Sequence, residues 1–252
     1  MALKRIIPCL LLRDEGLVKT VKFKKSTYIG DPINAVKIFN EKEVDELVFL
    51  DIDATNQRKE PPYQVIQDIA TECFMPFCYG GGIKTIDQIR KIIASGAEKV
   101  AINSAAFLNP DLIRQAAEVF GSSTVVVSID YKKNLFGNQT VYINGGTKST
   151  KKDPVTYAME MEQLGAGELF LNAVDRDGEM MGYDLEMVKK VTAAVSIPVI
   201  ICGGAAALTD FSLAFENGAS AASAGSMFVF QGKKKGVLIS YPSPEELREI
   251  IN

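Results

Sequence analysis

The chain has 252 residues, 47% of them hydrophobic, and a formal net charge of −3 at pH 7. This length and composition predict one α/β domain, 1–252, and the small charge gives no general attraction to nucleic acid or to an anionic membrane. The sequence contains no histidine, which excludes Ser-His-Asp and Cys-His catalysis and leaves acid–base chemistry to Asp, Glu, Lys, Tyr or Cys.

Short apolar strands alternate with amphipathic helices eight times along the chain. The predicted strands are rich in Val, Ile, Leu or Phe and span 5–12, 46–51, 75–80, 99–103, 124–131, 168–172, 198–202 and 220–224. Eight such β-then-α units favour a closed (β/α)8 TIM barrel over an open doubly wound sheet. In these barrels the chemistry lies at the C-terminal ends of the strands.

Capping signals mark the ends of several helices. Four helices are expected to start where a capping side chain precedes a proline, at Asp31-Pro32, Asn109-Pro110, Asp153-Pro154 and Ser243-Pro244. Three helices are expected to stop at Gly96, Gly165 and Gly218.

The apolar runs are short and interrupted by charge, which predicts neither a transmembrane span nor a secretory signal. Four cysteines lie in or beside apolar segments without CxxC spacing: Cys9, Cys73, Cys78 and Cys202. This pattern is typical of reduced core thiols in a cytoplasmic protein. We expect no metal and no cofactor.

Two glycine turns follow apolar strands about half a chain apart. The first glycine turn is Gly80-Gly81-Gly82, and the second is Gly203-Gly204. Glycines let backbone N–H groups approach an anion closely, so each turn is a candidate phosphate site, although one such cluster alone is equally explained as a tight β-to-α turn. Their recurrence favours a ligand that carries two phosphates.

The two halves of the chain resemble each other. Residues 7–11 pair with 126–130, 46–51 with 168–172, and 101–104 with 223–226, and the offset grows only from 119 to 122 residues. An internal duplication of half-barrels explains this pattern and puts the two glycine turns on opposite sides of one opening. Ser104 and Ser226, after the fourth and eighth strands, would add a hydroxyl to each phosphate site, unless serine merely suits a strand end.

Two loops after strands are longer than the others and are candidate lids. The first loop, 13–30, carries Lys19, Lys22, Lys24 and Lys25, and the second loop, 132–152, is predicted to be a hairpin with Asn144-Gly145-Gly146 near its close. A lysine run is more often a solvated surface than a ligand clamp. Lys19 differs from the other three because its flanks are apolar.

Carboxylates at C-terminal strand ends are the candidates for acid–base work: Asp51, Asp53, Asp130, Asp175 and Asp177. For each of them a structural hydrogen bond to a neighbouring loop is the alternative role. Asp130 is favoured as the catalytic group because it follows the apolar run 125–129 and should enter the opening, where desolvation raises a carboxyl pKa.

Several motifs together resemble the HisF family, the cyclase subunit of imidazole glycerol phosphate synthase, over essentially the whole chain. They are Lys4-Arg5-Ile6-Ile7-Pro8-Cys9-Leu10, Asp45-Glu46-Leu47-Val48-Phe49-Leu50-Asp51-Ile52, Gly80-Gly81-Gly82-Ile83, Lys99-Val100-Ala101-Ile102-Asn103, Asp175-Arg176-Asp177-Gly178 and Cys202-Gly203-Gly204-Ala205. The resemblance implies a subunit that takes ammonia from a glutaminase docked on the bottom of the barrel. It would convert a phosphoribulosyl-formimino aminoimidazole carboxamide ribotide into imidazole glycerol phosphate and the carboxamide ribotide, a step of histidine biosynthesis.

The resemblance also implies site residues, with Asp130 as a catalytic aspartate. The phosphate-binding residues would be Gly82, Asn103 and Ser104 on one side, and Asp177, Gly178, Gly204, Gly225 and Ser226 on the other. Lys19 matches a lysine of the family's mobile first loop. A charged ring that lines the ammonia entrance would be Arg5, Glu46, Lys99 and Glu168.

One departure from the family concerns its other catalytic aspartate, at the end of the first strand, where this chain has Leu11. An isobutyl group transfers no proton, and Asp14 is the nearest carboxylate that could substitute. Leu11, 17–23 and 233–242 resemble a divergent HisF-like branch that works with a glutaminase and a sugar amidotransferase in making acetamidino sugars for surface polysaccharides. An ammonia-conducting role in that pathway is therefore the alternative to cyclase activity, and a phosphosugar isomerase of the HisA type is the weaker third.

Overall fold

The computed structural model describes residues 4–134, 136–232 and 234–251, so Lys233 of the divergent stretch 233–242 lies outside the described residues. Eight parallel strands form a ring in which each strand pairs with the next and β8 pairs with β1. They are β1 (Arg5–Arg13), β2 (Leu47–Asp51), β3 (Phe77–Gly80), β4 (Lys99–Ile102), β5 (Val125–Lys133), β6 (Glu168–Ala173), β7 (Val199–Cys202) and β8 (Ala221–Ala224). The predicted TIM barrel is confirmed.

A helix follows each strand and covers the outside of the barrel. The eight are α1 (Pro32–Glu41), α2 (Tyr63–Glu72), α3 (Ile86–Ala94), α4 (Asp111–Phe120), α5 (Pro154–Gln163), α6 (Leu185–Ala194), α7 (Leu208–Glu216) and α8 (Pro244–Ile251). Shorter helices lie in the loops at Ala54–Gln57, Ser104–Leu108 and Ser226–Val229, with 3-10 turns at Ser122–Thr124 and Val174–Arg176. In the described part of the chain, no helix combines the length and the apolar character needed to cross a membrane.

Most of the predicted helix caps are confirmed. The side chains of Asp31, Asp153 and Ser243 each accept a hydrogen bond from a backbone N–H in the first turn of the helix that follows. The predicted Asn109 cap is wrong: α4 begins at Asp111, and Asn109 instead ends the short helix Ser104–Leu108. The three predicted stop glycines follow α3, α5 and α7 with positive φ.

The core has two layers because successive side chains of a strand face opposite sides of the sheet. In β1, Ile6, Leu10 and Leu12 pack outward against the helices, and Ile7 and Leu11 pack inward with the other strands. The inner layer is apolar and consists of Ile7, Cys9, Leu11, Val18, Val48, Cys78, Ala101, Val126, Phe170, Ile200, Cys202 and Ala221. The inward register of β1 therefore directs Leu11 to the barrel interior.

The four cysteines are free, and three of them are buried. Burial raises the pKa of the half-buried Cys73 to about 11 and raises that of Cys78 well above its usual range. Within the described residues, no three His, Cys, Asp or Glu side chains are grouped so that they could hold a metal ion. The cysteines thus pack as small apolar residues.

Both long loops form hairpins on the C-terminal side of the barrel. In the first loop, strand Gly16–Val21 pairs antiparallel with β1 and with Lys25–Gly30. In the second loop, Gln139–Ile143 pairs antiparallel with β5 and with Lys148–Ser149, which confirms the predicted hairpin. These hairpins extend the barrel wall upward around its C-terminal opening.

Candidate active site

A cavity of about 590 Å³ opens at the C-terminal ends of the strands, and all eight strands contribute to its lining. The ten residues predicted to be catalytic or to bind phosphate all line it: Lys19, Gly82, Asn103, Ser104, Asp130, Asp177, Gly178, Gly204, Gly225 and Ser226. The structure therefore brings together side chains that lie more than 200 residues apart in the sequence, from Lys19 to Ser226.

The two glycine turns need glycine for steric reasons. Gly81 has φ +128°, and a Cβ there would lie 2.5 Å from Asp51 O. Gly204 has φ +115°, and a Cβ there would lie 2.2 Å from Gly182 O. A side chain at either position would force the backbone apart, so both turns expose bare backbone to the cavity.

Asp130 lies on β5 and is 8% exposed. Burial raises its pKa to about 7; a hydrogen bond from Asn172 lowers the pKa, and the charge of Asp177 raises it. Asn103 Nδ2 also donates to Asp130 Oδ2 at 3.2 Å. A carboxyl group with a pKa near neutrality can both give and take a proton at physiological pH, which is what acid–base catalysis requires.

The first loop is docked onto the cavity through Asp177. Thr20 Oγ1 donates to Asp177 Oδ2 at 2.8 Å, and the backbone N–H of Lys22 donates to Asp177 O at 2.9 Å. Burial raises the pKa of Asp177. This docking buries Lys19, whose Nζ donates to Cys9 O; by contrast Lys22, Lys24 and Lys25 are exposed, as a solvated lysine run would be.

A Cβ built on Gly225 would lie only 1.9 Å from Lys19 Nζ, so the lysine ammonium fills the space that a side chain at position 225 would need. Gly178 is similarly confined, because a Cβ there would lie 2.3 Å from Thr20 O. Both glycines thus allow the first loop to pack closely on the β6 and β8 ends of the cavity.

Leu11 is 7% exposed and lines the cavity. It is in register with Leu50 on β2 and with Val18 of the first loop, so its surroundings are apolar. Asp14 does not replace the missing carboxylate: it lies in the turn after β1, outside the cavity lining, and pairs with Lys59 at 3.0 Å. Asp14 does not reach into the cavity, because the turn directs it along the barrel rim.

Three other strand-end aspartates make structural hydrogen bonds. Asp51 Oδ1 accepts from the backbone N–H of Asp53 and Ala54 at 3.1 and 3.0 Å. Asp53 forms an ion pair with Arg13 at 2.8 Å. Asp175 accepts from a backbone N–H of β5 at 2.8 Å. Of the five strand-end aspartates, Asp130 is the one that is buried, at 8% exposure.

Asn172 was not among the predicted site residues, although it lines the cavity beside Asp130. It is 5% exposed, and in the described part of the chain its Oδ1 has no hydrogen-bond partner. The sequence signal was a polar residue at the C-terminal end of strand 168–172, after the apolar residues 169–171.

The predicted charged ring forms at the opposite, N-terminal end of the barrel. Arg5 pairs with both Glu46 and Glu168, and Lys99 Nζ lies 3.0 Å from Glu46 Oε1 and 2.9 Å from Glu168 Oε2. The two carboxylates raise the pKa of Arg5 and Lys99 against the opposing effect of burial. Charges thus alternate around the ring, and the apolar inner layer lies between it and the cavity.

The sequence matches the family model described as histidine biosynthesis protein over residues 5–234. It is 52% identical to a provisionally named imidazole glycerol phosphate synthase subunit, hisF2, of Pseudomonas aeruginosa, over 98% of this chain and 99% of that protein. It is 50% identical to hisF3 of Vibrio vulnificus, also provisionally named, over 100% of this chain and 97% of that protein. It is 44% identical to the imidazole glycerol phosphate synthase subunit HisF of Alkaliphilus metalliredigens, over 90% and 91%. The chain belongs to the histidine biosynthesis protein family and, within it, to the HisF family.

Proposed function

We propose that the chain is the synthase subunit of a glutamine amidotransferase complex of the imidazole glycerol phosphate synthase type. It would use ammonia from a glutaminase partner on a bis-phosphorylated ribulosyl-formimino aminoimidazole carboxamide ribotide, giving imidazole glycerol phosphate and the carboxamide ribotide. The observation that carries the proposal is one cavity with a bare glycine turn on each side and a buried aspartate of raised pKa between them.

In this mechanism the two phosphates anchor the ends of the substrate at the two glycine turns. The first site uses Gly82, Asn103 and Ser104, and the second uses Asp177, Gly178, Gly204, Gly225 and Ser226, with Lys19 nearby. The ammonium of Lys19 supplies positive charge at the second site. Fixing both ends holds the reactive middle of the substrate against Asp130, which converts binding energy into orientation.

Asp130 would transfer protons as the carbon–nitrogen bonds rearrange. As a carboxylate it takes a proton from the attacking nitrogen, and as a carboxylic acid it returns a proton to the departing nitrogen. The docked first loop limits the access of water to these steps.

The charged ring would be the entrance for ammonia. Beyond it the inner layer offers apolar side chains to a small neutral molecule, which would enter from a glutaminase on the N-terminal face. A buried ring of mixed charge is costly unless its members pair, and this ring pairs completely.

The expected oxyanion binding can be tested by crystallography. Crystals soaked in phosphate should show density at both glycine turns, because each presents backbone N–H groups to the cavity. Ser104→Ala and Ser226→Ala should each weaken only the nearer site. Phosphate bound solely at exposed lysines, with neither turn occupied, would contradict the proposal.

The rate of the ammonia-dependent reaction should show an inflection near pH 7, where Asp130 titrates. The rate falls below that pH if proton removal from nitrogen limits turnover, measured at a constant concentration of unprotonated ammonia. Asp130→Asn should remove both the inflection and most of the rate. A profile that keeps its inflection in Asp130→Asn would assign the titration to another group.

The pH dependence of stability gives a second test of the raised pKa of Asp130. The folded protein keeps the Asp130 proton up to about pH 7, whereas the unfolded chain releases it near pH 3.8, so the folded state loses relative stability as pH rises through that window. Asp130→Asn should therefore raise the melting temperature at pH 8 and leave it nearly unchanged at pH 3.

Glutaminase docking can be tested with two exposed phenylalanines. Phe74, 86% exposed, lies between α2 and β3 on the N-terminal face, and Phe136, 88% exposed, lies in the second loop on the opposite face. Aromatic residues often anchor interfaces, so Phe74→Ser should weaken association with a co-expressed glutaminase by about tenfold or more, and Phe136→Ser should not. Failure to co-purify, with glutaminase turnover unchanged by this protein, would refute docking.

A second candidate function rests on Leu11. The chain would then conduct ammonia from a glutaminase to a separate sugar amidotransferase that makes acetamidino sugars, with the phosphate sites kept for ligand binding. Complementation separates the two functions: rescue of a bacterial strain that lacks its own HisF, on medium without histidine, supports the synthase. Failure of rescue, with the protein expressed and folded, supports the second.

A further inference from the structure

A chain of hydrogen bonds runs from the turn of the second loop to Asp130. The backbone N–H of Asn144 donates to Ser104 Oγ at 2.9 Å, and Ser104 Oγ donates to Asn103 Oδ1 at 3.2 Å. Asn103 Nδ2 in turn donates to Asp130 Oδ2 at 3.2 Å and to Ser128 O at 2.9 Å. This chain links a loop at the barrel opening to the carboxyl group that we assign to proton transfer.

The direction of each hydrogen bond follows from the donors that are present. Ser104 Oγ accepts from a backbone N–H through a lone pair, so its one proton is free to be donated to Asn103 Oδ1. Ser128 O can only accept, so the amide atom of Asn103 beside it is the nitrogen. The second amide proton then points at the Asp130 carboxylate. A rotated amide would bring its oxygen against two acceptors, which fixes a single orientation.

The fold closes this chain of hydrogen bonds into a ring. Asp130 lies opposite Tyr142 where β5 pairs with the hairpin strand Gln139–Ile143. Asn144 follows that strand with φ +54°, a left-handed conformation that brings its N–H onto the buried Ser104 at the end of β4. A displacement of the turn therefore takes the donor away from Ser104, at the point where the ring joins β4 to the second loop.

Ser104 supplies the donor for the amide oxygen of Asn103. Without that donor the oxygen would turn to the water of the cavity, which Asn103 lines, and the rotation would take the NH₂ group off Asp130. Hydrogen bonds in a chain polarise one another, so the N–H of Asn144 also strengthens the contact to the carboxylate. A donor to a carboxylate favours its charged form, so the chain lowers the pKa of Asp130 while burial raises it.

We propose that Ser104 is a positioning residue for proton transfer: its hydroxyl, held by the turn of the second loop, fixes the amide of Asn103, and the amide holds the Asp130 carboxylate. This role is separate from phosphate binding, because the hydrogen bonds form in the protein without a ligand. The inference rests on the proposed function in assigning proton transfer to Asp130. It adds that the second loop must be in place for Asp130 to titrate near neutrality.

Other titratable groups also face Asp130. Asp177, which follows β6, and Cys9 on β1 interact with it across the cavity. The hairpin strand contributes Tyr142, opposite Asp130, and the ammonium of Lys132 lies 4.2 Å from the centre of the Tyr142 ring. Uncharged replacements elsewhere leave all four groups in place, so they change the pKa of Asp130 through hydrogen bonding alone.

The pKa of Asp130 in the ligand-free protein tests the inference. Carbon-13 NMR follows the titration of its carboxyl group, whose signal is assigned by its absence in Asp130→Asn. Ser104→Ala should raise the pKa, with a fall of up to about tenfold in the acid dissociation constant, as expected for one lost hydrogen bond to a charged group. Ser104→Thr keeps the hydroxyl and should keep the wild-type pKa. Ser226→Ala is the matched control: it removes the corresponding serine of the other half-barrel, 122 residues later, and should leave the pKa unchanged.

Asn144→Pro removes the N–H at the start of the chain of hydrogen bonds and displaces the turn, so it should also raise the pKa of Asp130. Asn144→Gly keeps the N–H and tolerates the positive φ, so it should behave like the wild type. In the Ser104→Ala background Asn144→Pro should add nothing, because the loop acts through the hydroxyl. An unchanged pKa in Ser104→Ala, an equal rise in Ser226→Ala or additive effects in the double variant would overturn the inference. The expected pKa changes in a protein without cyclase activity would instead keep the hydrogen-bond link and refute the proposed function.

Discussion

Leu11→Asp is expected to raise the rate of ammonia-dependent cyclisation by up to about 10²–10⁴-fold, the usual contribution of a positioned acid or base. Leu11 faces the barrel interior, is 7% exposed and lines the same cavity as Asp130, so a carboxylate there enters the site directly. Turnover of the ribulosyl-formimino substrate with ammonium salts, followed by formation of imidazole glycerol phosphate, measures the effect.

Two controls separate proton transfer from simple polarity at position 11. In Leu11→Asn the new side chain has nearly the same shape as aspartate but cannot exchange a proton, so this variant should give no gain in the cyclisation rate. Asp130→Asn in the Leu11→Asp background should abolish the gain, because a carboxylate at position 11 adds to the rate only while Asp130 is present to transfer the other proton. Full cyclase activity in the unmodified protein would contradict the claim that Leu11 weakens cyclisation. The residue that replaces the aspartate would then have to be one other than Asp14, because Asp14 is paired with Lys59 on the rim.

Lys99→Met is expected to lower the free energy of unfolding by about 3 kcal/mol at pH 7, because it leaves the buried Glu46 and Glu168 with Arg5 as their remaining partner. Methionine keeps the length of the side chain and removes only the charge. Urea unfolding of the two proteins gives the difference.

Lys91→Met is the matched control, since Lys91 pairs with Asp87 at 2.9 Å but both side chains are more than half exposed. Exposed pairs contribute about 0–1 kcal/mol, so this variant should unfold almost like the wild type. Equal stability of the Lys99 and Lys91 variants would mean that the charged ring contributes nothing to folding. The presence of the ring would then have to be explained by its function alone.

The barrel was predictable from the sequence because local patterns determine it. Eight apolar strands alternate with helices, and the glycine turns after β3 and β7 can be recognised from nearby residues alone. The inward register of β1 follows from period-2 alternation, which directs Leu11 into the interior. The cavity residues were found through the family motifs, whose positions at strand ends are fixed by the same register.

Other features depend on contacts that no local pattern contains. The turn after β1 sends Asp14 to Lys59, a residue 45 positions away. The predicted Asn109 cap is absent because Asn109 ends the short helix Ser104–Leu108. The unpaired oxygen of Asn172 is visible only when every neighbour in three dimensions is known.

The two half-barrels give the cavity an approximate two-fold symmetry, with a consequence for how a ligand is oriented. Gly82 corresponds to Gly204 and Ser104 to Ser226, each 122 residues later, so the glycine turns and serines by themselves distinguish poorly between the ends of a bisphosphate. Leu11 corresponds to Asp130, 119 residues later, and there the halves differ: one carries an alkyl group where the other carries a titratable acid. A ligand with one polar and one apolar flank would therefore bind in a single orientation that is set by the wall of the cavity, even though the glycine turns at its two ends are alike.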